Sequence, residues 1–257
     1  MQQRGTVRNW LLLLVVCSGC IPGWADGLSV TAKIEVVAGK VAKRESPASS
    51  AASSSAGASA MNASNVALWL TPVDENGTPK TMHIAPAGPI PQIVQRNKTF
   101  EPHVVVVQAG SAIEFPNKDP FFHNVFSLYD GKRFDLGLYE AGTTRSVHFN
   151  RVGVSFLFCN IHSEMSAVVI AVDTPYFALS DRAGHVAIPN VPDGRYEMHV
   201  WYERSQPGGL KALDRIVTIS ESTRALGTVQ VTDSHDFTLA HKNKYGQDYI
   251  PPANAPY

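Results

Sequence analysis

The chain has 257 residues, 44% of them hydrophobic, and its 22 basic and 22 acidic residues cancel to a net charge of zero. That length supports one large domain or two small ones, and the balanced charge excludes the long-range field that draws proteins to nucleic acid or to anionic membranes. Helical periodicity is nearly absent, whereas short alternating and β-branched runs recur between Gly, Pro, Asn and Asp clusters, so the fold class is expected to be all-β.

Residues 1–25 read as an export signal. Arg4 and Arg8 give a basic start, W-L-L-L-L-V-V a short apolar core, and Gly23-Trp24-Ala25 small residues at a cleavage position. The apolar run is much shorter than the roughly 20 residues a spanning helix needs, so no transmembrane span is expected in the mature chain. Cleavage after Ala25 removes Cys17 and Cys20, leaves Cys159 as the one thiol, and predicts a periplasmic or secreted protein. The alternative is a lipoprotein anchored through Cys20 in V-C-S-G-C, against which Cys17 is a poor match. An exported chain with a single cysteine cannot close an internal disulfide, and the plain alternative for Cys159 is a buried structural residue.

Strands are expected over 28–41 and 65–72, within an N-terminal stretch 26–84. The Ser/Ala-rich insert 46–64 between them has almost nothing to bury and reads as a mobile loop. After a Pro-rich passage the block 85–172 is denser. It offers strands at 100–107 and 111–115 around an Ala-Gly turn, then H-N-V-F-S at 123–127, and strands at 146–149, 154–158 and 167–172. Alternation along 154–158 places Ser155, Leu157 and Cys159 on one face and Val154, Phe156 and Phe158 on the other. Residues 173–232 carry a turn at 181–184, a strand, a Pro-Asp-Gly turn and strands at 196–201, 215–220 and 228–231. That is few for an independent core, so 28–41 and 65–72 are candidates to complete this second sandwich as its first two strands, with the dense block inserted between its second and third strands. The tail 233–257 is expected to be extended or disordered.

The run C-N-I-H-S-E-M at 159–165 spaces a thiol, an imidazole and a thioether two residues apart. With a second imidazole, for which His123 is the natural candidate, this donor set suits a copper ion that changes oxidation state, because soft sulfur favours Cu(I) while nitrogen also suits Cu(II). The linked pieces G-S-A-I-E-F-P-N-K-D, H-N-V-F-S and G-V-S-F-L-F-C-N-I-H-S-E-M resemble the cupredoxin family of blue copper proteins, with a ligand loop most like that of amicyanin. The resemblance implies a cupredoxin Greek-key β-sandwich over 85–172 and one type 1 copper held by His123, Cys159, His162 and Met165. It also implies that Asn124 ties the two ligand segments together. F-D-L-G-L-Y-E-A-G and D-T-P-Y-F-A are similar to longer bacterial proteins of methylamine-utilisation or plastocyanin-like type, in which a carboxypeptidase-regulatory-like sandwich accompanies the copper domain.

Among the other candidates, His103 reads as a hydrogen-bonded structural histidine, with a second metal contact as the alternative. His148, His185 and His199 lie in strand patterns without ligand partners nearby, His83, His235 and His241 are expected on the surface, and Glu164 reads as a solvated charge. An enzyme is not expected. Phe158 and Asn160 flank the cysteine where a multicopper oxidase would carry histidines, and neither G-x-S-x-G nor H-E-x-x-H occurs. Two readings remain: a single-electron carrier serving a redox partner protein, and a copper-handling or partner-binding module in which copper is cargo or structural.

Overall fold

The computed structural model describes residues 29–39, 62–80, 82, 85–128, 131–234 and 241–249. The export signal and residues 46–61 of the insert lie outside them. Among the described residues the chain is all-β apart from one five-residue helix, and no helix is long and apolar enough to cross a membrane.

Two strands come first, β1 (Val30–Ala38) and β2 (Ala67–Pro72). The dense block follows with β3 (Val94–Arg96), β4 (Thr99–Glu101), β5 (Val104–Gln108), β6 (Ser111–Pro116) and β7 (His123–Ser127). It continues with β8 (Phe134–Tyr139), β9 (Thr144–Phe149), β10 (Gly153–Phe158) and β11 (Ser166–Val172). The C-terminal part supplies β12 (Phe177–Leu179), β13 (His185–Ile188), β14 (Gly194–Trp201), α1 (Pro207–Lys211), β15 (Arg215–Ile219) and β16 (Ala225–Asp233).

In the first sandwich the sheet β5-β11-β10-β7-β8 stands over the pairs β6-β9 and β3-β4. Its core includes Ile93, Ile113, Phe115, Val125, Phe149, Leu157 and Val169. In the second sandwich β13-β1-β16 stands over β12-β2-β14-β15, around Ile34, Leu68, Leu70, Ile188, Met198, Ile219 and Val231. β1 therefore runs antiparallel to β13 and parallel to β16, and β2 lies between β12 and β14.

The V-V-V-V-Q run of β5 is continuous rather than alternating because both of its faces are covered. Val105 and Val107 enter the first core, whereas Val104 and Val106 join Val168, Ile170 and Val172 of β11 in a seam against the second sandwich. Trp69, Phe156, Phe177 and Trp201 close that seam.

The last residues of the insert depart from the mobile-loop expectation. Ala63 is buried in the second core, its N–H donates to the Arg182 carbonyl at 3.3 Å, and its carbonyl accepts from the Ser180 hydroxyl. The Gly184 turn packs directly against it, since a Cβ on Gly184 would lie 3.2 Å from that of Ala63.

Candidate metal centre

β10 delivers the cysteine. Its alternation sends Leu157 and Cys159 into the first core and Val154 and Phe156 into the seam, and Cys159 is fully buried. The chain then reverses. The Cys159 N–H donates to the Met165 carbonyl at 3.3 Å and the Met165 N–H to the His162 carbonyl at 3.2 Å, closing the loop before β11. Met165 is fully buried in the same core cluster as Cys159. His123 opens β7, which pairs with β10 through Phe126 and Phe158, so the two ligand-bearing segments meet across adjacent strands.

The Cys159 Sγ stands 3.8 Å from His123 Nδ1 and 3.6 Å from His162 Nδ1, and one ligand atom from each of the three residues lies within 4.8 Å of the others. Donors sharing one ion, at about 2.3 Å from sulfur and about 2.0 Å from nitrogen, stand about 3.5 to 3.8 Å apart when the angle between them is tetrahedral to trigonal. The spacing therefore fits a single small transition-metal ion, and a thiolate with two imidazoles fits copper.

Protonation is prepared for such an ion. Burial lowers the His123 pKa against the pull of Asp119, and burial with the nearby His123 and Lys98 pushes His162 down to about 4. Both imidazoles are thus neutral donors at neutral pH. Burial pushes the Cys159 thiol up, and the backbone N–H groups of Ile161, Asn124 and His162 act in the opposite direction. The metal-free protein therefore holds a protonated thiol, and metal binding must release that proton.

Asp119 is a partner of the candidate site that the sequence pattern did not single out. Its Oδ2 accepts the His123 Nε2–H at 2.7 Å, with both side chains buried. The hydrogen bond fixes the tautomer and leaves the Nδ1 lone pair facing Cys159. Asp119 is itself held by the N–H groups of Asn97 and Lys98, at 2.7 and 3.0 Å. Burial opposes its charge, but these donors and His123 outweigh burial and keep the carboxyl below the ordinary range. The i, i+4 spacing of Asp119 and His123 around two phenylalanines was the available signal.

Asn124 reaches Cys159 through its backbone rather than its side chain. Its side-chain amide donates to Asp135 Oδ1 at 2.7 Å and to the Gly137 carbonyl at 3.0 Å, both on β8, so only its backbone N–H acts on Cys159. His103 stands apart from the three-donor cluster. Its Nδ1 faces the Ser166 carbonyl at 3.0 Å and its Nε2 faces Glu203 Oε2 at 2.7 Å. His199 has partners that sequence proximity hid in part, because the β14–β15 turn brings Asp214 to 3.2 Å while Glu197 lies at 3.7 Å. Glu164 is exposed.

His241, expected on the surface, is half-buried. Its ring stacks on Phe158 with centroids 3.9 Å apart, and its Nε2 lies 2.9 Å from the Ser163 carbonyl. Lys244 and Tyr249 likewise reach the ligand loop. No local pattern in the tail announces these contacts, which depend on partners about 80 to 110 positions earlier.

Phe121 packs beside both imidazoles, with centroids 5.2 Å from His123 and 5.8 Å from His162. The residues immediately before the two histidines, Phe122 and Ile161, are 52% and 41% exposed. Apolar side chains thus face solvent next to both imidazoles.

No protein-family model and no curated protein matches the chain. Among solved structures, a purple cupredoxin from Nitrosopumilus maritimus is 20% identical over 32% of this chain and 99% of its own, with a TM-score of 0.30. A copper-containing nitrite reductase from Thermus scotoductus SA-01 is 20% identical over 40% of this chain and 27% of its own, with a TM-score of 0.32. An amicyanin mutant in the Cu(I) form is 15% identical over 34% of this chain and 92% of its own, with a TM-score of 0.31.

Proposed function

We propose that the chain is an exported type 1 copper protein that carries single electrons to or from a redox partner protein, with His123, Cys159 and His162 holding the metal and Met165 as the axial donor. The observation that carries this reading is the trio of two neutral imidazoles and one thiol, with His123 and Cys159 buried and His162 half-buried, spaced for a single ion at the end of a packed sandwich. Copper bound there would supply a one-electron couple. The protein's own contribution is rigidity. Asp119 locks the His123 ring, the backbone bonds among Cys159, His162 and Met165 fix the loop, and the buried core excludes water. Donors that keep their places in both oxidation states leave little to reorganise when an electron moves.

His162 is the more accessible imidazole, being half-buried where His123 is fully buried, and it offers the electron path to the surface. The exposed Phe122 and Ile161 beside the ligands suit a transient contact with a partner, in which apolar contact permits close approach without long residence.

Copper reconstitution with optical and paramagnetic spectra tests the reading. One copper per chain, an intense visible band that bleaches reversibly with a mild reductant, and loss of that band in Cys159→Ser are the expected results. A protein that binds only Cu(I) and stays colourless would move the function to copper handling.

A further inference from the structure

The C-terminal segment 241–249 crosses the ligand loop and makes hydrogen bonds to it from three of its residues. The Tyr249 hydroxyl donates to the Cys159 carbonyl at 2.7 Å, the Lys244 N–H donates to Asn160 Oδ1 at 3.0 Å, and the His241 Nε2–H donates to the Ser163 carbonyl at 2.9 Å. The His241 ring also stacks on Phe158, the residue before the cysteine. Lys244 reaches further. Its Nζ lies 2.7 Å from Asp135 Oδ2, and the other oxygen of that carboxylate accepts from Asn124, the neighbour of His123. One short segment therefore braces both stretches of chain that carry the donor trio.

We infer that His241, Lys244 and Tyr249 are positioning residues of the metal centre, which hold the 159–165 loop in its ligand-ready conformation before metal arrives. The loop's own N–H to carbonyl closures, Cys159 to Met165 and Met165 to His162, are long at 3.3 and 3.2 Å. The segment satisfies the Cys159 and Ser163 carbonyls and the Asn160 amide oxygen, which the loop's own closures leave unpaired. The loop's role as ligand loop rests on the proposed function, but its restraint is a property of the metal-free chain and can be measured there.

The probe is the reaction of metal-free Cys159 with a chromogenic aromatic disulfide, in the full chain carrying Cys17→Ser and Cys20→Ser. Cys159 is fully buried, so labelling requires local opening of the loop. Tyr249→Phe keeps the ring and removes the donor, and it should speed labelling by about threefold to tenfold, the range set by one net hydrogen bond. His241→Ala should act in the same direction. Gln247→Ala is the control, because Gln247 lies in the same segment, is exposed, and bonds Asn243 through its backbone, and it should label at the unaltered rate. The thermal midpoint, set by the two sandwich cores, should stay where it is. In the copper-loaded protein Tyr249→Phe should also shift the visible band. Unchanged labelling in both Tyr249→Phe and His241→Ala would overturn the inference. So would faster labelling matched by an equal loss of global stability, since Cys159 would then be exposed by unfolding of the whole sandwich. Failure to bind copper would sink the electron-carrier reading and leave the labelling result standing.

Discussion

The carboxylate of Asp119 joins the charge of the metal centre to its geometry. Its two oxygens are fully engaged by donors, His123 and Lys98 on one and Asn97 on the other. An asparagine there must present an NH2 group to at least one of them, which replaces a hydrogen bond with a donor–donor conflict and removes a buried negative charge. Asp119→Asn should therefore weaken copper binding by about 10- to 100-fold, the usual effect of losing an outer partner of a ligating histidine. Cu(II) should lose more than Cu(I), because the higher charge gains more from the carboxylate. A tenfold difference between the two losses would raise the potential by about 59 mV. Chelator competition and voltammetry measure both, and an unchanged potential would reduce Asp119 to a brace for the 97–98 turn. The residues at 123, 159 and 162, which the fold brings together, were legible because a thiol and imidazoles in that spacing beside a thioether are rare together. The Asp119 and Tyr249 partners were not, since a carboxylate or a phenol has many uses and only the folded chain shows where it points.

At the scale of elements, alternation located most strands within a few residues. The expected strand at 154–158 appears as Gly153–Phe158, and the continuous valine run is a strand at the edge of its sheet that is buried on both faces. Pairing was harder to read. β1 lies parallel to β16, nearly the whole chain away, and such partners are set by tertiary packing rather than by any local signal. The three-residue strands β3 and β4 are too short to carry a period. The turn before β13 shows how tightly the second sandwich is tied. Gly184 has φ +84 in the left-handed region, and a Cβ there would lie 2.1 Å from the Ile34 carbonyl oxygen, a backbone atom that cannot give way cheaply. The Gly184 carbonyl in turn accepts the Ile34 N–H at 2.7 Å. Gly184→Ala should accordingly lower the thermal midpoint by well over the ~1 kcal/mol equivalent of positive-φ strain alone. The copper band should persist, because the turn belongs to the second core and not to the ligand loop. A variant that melts normally would mean that β1 and β13 can separate without cost.

Across the whole molecule, the seam between the sandwiches carries one polar clasp in addition to its valines. His103, between β4 and β5, sets its two ring nitrogens against the Ser166 carbonyl and against Glu203 just beyond β14. Only the doubly protonated ring can donate to both acceptors. The hydrogen bond to Glu203 accordingly raises the His103 pKa above its ordinary value, with burial pulling the other way and the charge of Glu203 and the Ser166 carbonyl adding to the rise. The folded state thus holds the proton more tightly than the unfolded chain, so the stabilisation is fully present below the unfolded value of about 6.5 and is lost as pH rises through the folded pKa. The His103 side chain is 36% exposed, and salt should weaken the effect. His103→Gln retains one donor and cannot titrate. The stability difference between wild type and His103→Gln, measured from about pH 5.5 to about pH 9, should therefore be largest at the acid end and shrink as pH rises. Taking the difference cancels the contributions of groups that lie too far from His103 to couple to it. A difference that stays flat across the range would show that His103 is neutral throughout and that the seam is held by its apolar side chains alone.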